Sequence, residues 1–140
     1  MAKKQTAKAK AAAPRGKIKP HEGRELALML AGKKPLARFA LEHKAPDALA
    51  ASEAAFRPHV TRGKLQRFQF KGAEFDRVYY CLPTEEWRVK LLELIEAALE
   101  AGAHPFTIED LHRIDGALLG YSKEDIEFFL ARWRQHHGED

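Results

Sequence analysis

Asp115 stands in the leucine-rich stretch IEDLHRIDGALLGYSKEDIEFFLARW. At about 100° per residue it falls within the apolar arc formed by Ile108, Leu111, Ile114, Leu118 and Leu119. A carboxylate there is at least partly buried. Burying it unpaired is costly, so it either holds a cationic or multi-donor partner or is pushed toward the neutral acid. The second outcome would make it a general acid or base with a tuned pKa. Catalysis needs a second group at a telling spacing, and none accompanies it. Asp115 is therefore expected to be a buried polar tie between the last helices, with Arg88, Tyr121 or backbone amides as donors.

Glu109, His112 and Asp115 follow one another at three-residue intervals and so project near one another on a helix. Glu-x-x-His pairs hold metals in helical bundles where the motif occurs twice with further glutamates. Here it occurs once, and a solvated helix edge accounts for Glu109 and His112. His21, His43, His59, His104, His136 and His137 fall in tails or loops without ligand spacing. Neither a metal nor a cofactor is implied. Cys81 is the single cysteine, so no internal disulfide forms, and its place near the end of an apolar run suits a buried, inert thiol. The nine glycines are dispersed, and no nucleophile elbow, P-loop or dinucleotide-binding loop is present. No catalytic residue emerges, and the balance leans away from an enzyme.

The elements that must position these side chains are legible in outline. Leu26, Met29 and Leu30 recur at helical spacing before Gly32, giving a helix over about 22–31. Pro35 opens a short alternating run that suits an edge strand, and 45–51 reads as a loop. Phe56 to Arg62 suits a short helix, with Pro58 in its first turn and Gly63 closing it. KLQRFQF and FDRVYYCLP, separated by KGAE, form the pattern of a β-hairpin, with strands over about 64–71 and 75–82. From Thr84, as helix cap, the period changes, and Trp87, Leu91, Leu94, Ile95 and Ala98 line the expected core side. TIED and SKED both fit the capping box and start helices over about 107–119 and 122–136. Gly120 stops the first of these, Gly116 permits close approach by a neighbour, and Ile126, Phe129, Leu130 and Trp133 face inward. The order predicts an α+β fold: a small, mainly antiparallel three-stranded sheet with helices on one face.

Alternation then suggests a surface. If Phe68, Phe70, Val78, Tyr80 and Leu82 face the helices, Arg67, Gln69, Arg77 and Tyr79 turn the other way, and Arg38 joins them from the first strand. Such an uncovered Arg/aromatic face could stack bases, grip phosphates or receive an acidic protein. The plainer alternative is that each arginine covers apolar surface and pairs with a neighbouring acid.

Charge is unevenly divided. Residues 1–20 hold Lys3, Lys4, Lys8, Lys10, Arg15, Lys17 and Lys19 and no acid, which leaves 17 of the 24 basic residues against 20 acidic ones in residues 21–140. The chain therefore divides into a basic tail, 1–20, expected to be disordered, and a slightly acidic domain, 21–140. The tail suits contact with nucleic acid or another anionic partner as well as it suits a solubilising extension. It is too poor in large apolar residues to anchor in a membrane. No apolar run is long enough to span one, and no secretory signal is apparent, so a cytoplasmic location is expected. Together these features suggest a small non-enzymatic binding or regulatory module that acts through protein contacts. The alternative is a protein associated with RNA or DNA through the tail and the arginine-bearing sheet face.

Overall fold

The computed structural model describes residues 20–137, and the basic tail from Lys3 to Lys19 lies outside them. The elements are α1 (Glu25–Leu30), β1 (Leu36–Glu42), α2 (Ala50–Thr61), β2 (Gln66–Phe70), β3 (Phe75–Cys81), α3 (Glu86–Ala101), α4 (Ile108–Leu119) and α5 (Lys123–His137). Short 3-10 turns at Pro46–Leu49 and Pro83–Glu85 lead into α2 and α3. This is the expected α+β architecture with a three-stranded antiparallel sheet.

The strand order is β1-β3-β2, which puts the most apolar strand in the centre. Val78, Tyr79, Tyr80 and Cys81 are all buried, so β3 is covered on both faces, as its unbroken apolar run requires. On one face Val78 and Tyr80 pack with Met29 of α1, Phe56 of α2 and Ala37. On the other, Tyr79 and Cys81 pack with Val89 and Leu92 of α3, Leu118 of α4 and Leu36. Helices on both faces correct the expectation of one bare face.

The correction comes from register. Phe68 lies opposite Tyr79 and Gln69 opposite Val78, whereas the sequence reading grouped Phe68 and Phe70 with Val78 and Tyr80. An offset of one residue exchanges every side chain between the faces of a strand, and loop length alone did not settle which parity the hairpin takes.

Three helix details also differ from expectation. α2 begins at Ala50, so Pro58 sits inside the helix rather than in its first turn. Thr84 lies within the 3-10 turn, and α3 starts at Glu86 without a side-chain cap. α3 turns Val89 and Leu92 to the sheet, leaving its other apolar stripe outside.

The last two helices follow their punctuation. Thr107 and Asp110 form the capping box reciprocally at 3.0 and 2.9 Å, and Gly120 ends α4 at φ 87°. Ser122 Oγ accepts from the Asp125 amide at 3.0 Å. A Cβ added to Gly116 would lie 2.6 Å from Ile126 Cγ1, which is the close helix approach expected there. Leu130 of α5 is fully buried. Among the described residues no helix is long and apolar enough to cross a membrane.

Candidate functional site

The five residues proposed for one sheet face are divided between two. Arg38 pairs across from Tyr79, and alternation along β3 puts Arg77 on the same side. Arg67 and Gln69 stand opposite Tyr80 and Val78 and so face the other way. Both sets meet helices and carboxylates. Arg77 donates two bonds to Glu93 of α3 at 2.6 and 2.8 Å, and the Tyr79 hydroxyl donates to the same carboxylate at 2.7 Å. Burial works against ionised Glu93, but these bonds hold its carboxyl below the usual range. Arg67 donates to Glu53 of α2 at 2.7 Å and to Gln69 at 2.8 Å, while the Tyr80 hydroxyl donates to Glu53 at 2.6 Å. The continuous Arg/aromatic face is therefore replaced by arginine–carboxylate ties between the sheet and its helices.

Asp115 is half-buried and bonds Arg38 Nη2 at 3.0 Å, across 77 residues of sequence. The donor expected within reach is present, but it comes from β1. Arg88 instead donates to Glu85 at 2.6 Å and to the Ala117 and Leu118 carbonyls at 3.2 and 3.1 Å. Glu109 takes a two-bond fork from Arg134 at 2.7 and 2.8 Å, and His112 packs edge-on to Phe129 at 4.9 Å. Glu109, His112 and Asp115 thus serve different neighbours. No group of three or more His, Cys, Asp or Glu side chains among the described residues is placed to hold a metal. Cys81 is fully buried, with Sγ 3.7 Å from Gln66 Oε1; burial, then Glu86 and Glu85, pushes its thiol up to about 11.

Three features escaped sequence reasoning. One is Lys34, only 2% exposed, whose ammonium donates to the Leu119 carbonyl at 2.6 Å and meets His21 Nδ1 at 2.9 Å. It also lies 4.7 Å from the centre of the Tyr121 ring, which stacks on His21. The lysine caps the negative end of α4, although nothing in the pair Lys33–Lys34 shows which of the two turns inward.

The second is a cleft of about 210 Å³ between α4, α5 and β1, lined by Arg38, Asp115, His112, Tyr121, Asp125 and Phe129 among others.

The third is the outer face of α3. Trp87, Leu91 and Leu94 are 51%, 37% and 66% exposed and stand at i, i+4 and i+7, so they form one stripe. The Arg88 guanidinium lies 4.7 Å from the Trp87 ring centre, and Glu86 pairs with Lys90 at 3.4 Å beside the stripe. The periodicity was visible in the sequence. Its direction was not, because Val89 and Leu92 give α3 a second apolar face with an equal claim on the sheet.

Comparison of the chain with protein-family models, with curated proteins and with solved structures gives no match.

Proposed function

We propose that this protein is a non-enzymatic binding module that receives an amphipathic helix of a partner protein on the outer face of α3. The observation that supports this reading is the exposed stripe of Trp87, Leu91 and Leu94 on a helix whose opposite side is already anchored to the sheet. Burying a Leu side chain is worth about 1.5–3 kcal/mol, so an exposed stripe of this kind favours a partner. The i, i+4, i+7 spacing matches the seam between two packed helices, and the stripe rises over about 10 Å, two turns of such a pair. An aromatic anchor fits the usual composition of protein-binding surfaces.

The nucleic-acid alternative loses the sheet face that supported it, since Arg38, Arg67 and Arg77 are each bonded to a carboxylate. What remains of it is the tail, outside the described residues.

The test is photocrosslinking in the cell of origin from a reactive side chain at position 94, with position 30 on α1 as the exposed control. A discrete adduct with another protein from position 94 alone, abolished by Trp87→Glu, is the expected result. The proposal is overturned by identical adducts from both positions, or by an adduct that proves to be a second copy of this chain.

A further inference from the structure

The cleft beside Asp115 carries a second inference, independent of the α3 surface. Its walls are mostly apolar and aromatic: Phe129, Tyr121 and Ile126 with the edge of His112. One ion pair, Arg38–Asp115, interrupts them, and a further carboxylate, Asp125, lies on the lining.

Like Arg67–Glu53 and Arg88–Glu85, and unlike the forked pairs, this one is held by one bond to the carboxylate, and among these it is the one that lines the cleft. Arg77–Glu93, Arg113–Glu127 and Arg134–Glu109 are all two-bond forks. Arg38 gives Asp115 a single bond, from Nη2 to Oδ2. A guanidinium carries five donors and a carboxylate about four acceptor sites, so both partners retain bonding capacity at the cleft. Half-used ion pairs in a half-buried, apolar setting are well placed to take a ligand that brings its own opposite charges, since the local net charge then stays unchanged.

The volume limits the size of that ligand. About 210 Å³ is below the 300–1,000 Å³ that drug-sized molecules occupy. One amino-acid-sized molecule fills it.

We propose that the cleft between α4, α5 and β1 binds a free zwitterionic amino acid with an apolar or aromatic side chain. The carboxylate of the ligand takes the spare Arg38 donors, its ammonium group bonds Asp115 on the cleft's acidic side, and its side chain lies against Phe129 and Tyr121. Gly116 is part of this design, because its missing Cβ lets Ile126 approach α4 and close the floor of the cleft.

The experiment is calorimetric titration of the full chain with L-phenylalanine and L-leucine, alongside phenethylamine, which lacks the carboxylate, and 3-phenylpropanoate, which lacks the ammonium group. Saturable binding of at least one amino acid, with each truncated analogue at least tenfold weaker, is expected. Arg38→Lys, which keeps the charge and loses the fork, should weaken the amino acid by tenfold or more and leave phenethylamine within twofold. Asp115→Asn should weaken both. The wild-type chain supplies a readout that needs no variant: the Gly116 and Gly120 amide resonances shift on titration, and Gly102, at the far end of α3, does not. Absence of saturable binding, equal binding of the analogues, or shifts that spare Gly116 and Gly120 overturns the proposal.

Discussion

Lys34 is the residue whose chemistry departs furthest from the ordinary. Burial, only partly opposed by Glu25, lowers its ammonium to about 8, and no salt bridge to it forms among the described residues. In the unfolded chain a lysine keeps its proton to about 10.4. Between these values the unfolded state binds more protons, so stability rises with pH there, by at most about 1.4 kcal/mol per pH unit. Urea unfolding from pH 7 to 10 should show that rise in the wild-type protein and lose it in Lys34→Met. Asp76 acts in the opposite range. Its bonds from His43, then Gln69, lower it to about 2, so its contribution is complete above the unfolded value near 3.9 and disappears as pH falls toward 2. Asp76→Asn should flatten the acid limb of the stability curve. At this scale legibility was uneven. The acid at 115 is legible because it breaks an apolar arc, and the need for a donor follows from electrostatics. The donor did not follow, because Arg38 is 77 residues distant and only the sheet brings it near.

At the scale of elements, sequence punctuation succeeded where the determinants are local. The Thr107 box, the left-handed stop at Gly120 and the close approach at Gly116 depend on a few neighbouring residues. Faces and phases fared worse because neighbours in space decide them. α3 offers two apolar stripes and the sheet accepts only one; the hairpin offers two parities and packing selects between them. A proline costs an interior helix bond and so is expected in a first turn, yet α2 carries Pro58 within its span. Gly116→Ala tests the α4–α5 contact. Alanine would gain about 1 kcal/mol of helix propensity, but its Cβ would stand 2.6 Å from Ile126 and crowding of this kind costs about 1–3 kcal/mol. Net destabilisation is expected by urea unfolding, and Ile126→Ala in the same chain should recover part of it. A stabilised single variant would show that α5 does not press on α4 at that point.

For the whole molecule, the two-sided cover of the sheet decides which macromolecular contacts remain available. Both sheet faces are occupied, and Arg38, Arg67 and Arg77 are divided between them, each tied to a carboxylate of a covering helix rather than forming one exposed array. A chain beginning at Pro20 should accordingly fail to shift single-stranded RNA at low salt in a gel assay. If the full chain does shift it, the seven charges of residues 1–20 limit the slope of log K against log salt to about −5. A shift by the shorter chain would return the folded part to consideration. The fold class was legible because periodicity, turns and caps agreed in type and order. Layering was not, apart from one hint: VYYC in β3 is an unbroken apolar run, which a sheet with one bare face does not need.

The strand order β1-β3-β2 also sets a timetable for the growing chain. β2 and β3 can zip together as they emerge, but β1 forms its ladder with β3, whose last residue follows the end of β1 by 39 positions. At about 5–20 residues per second the ribosome leaves β1 without its partner for about 2–8 s, with Leu36, Ala37 and Phe39 uncovered. During that interval the sequence itself limits misassociation. Lys33, Lys34 and Pro35 precede the strand, Glu42 ends it and His43 and Lys44 follow it, so charges and a proline bracket the segment at both ends.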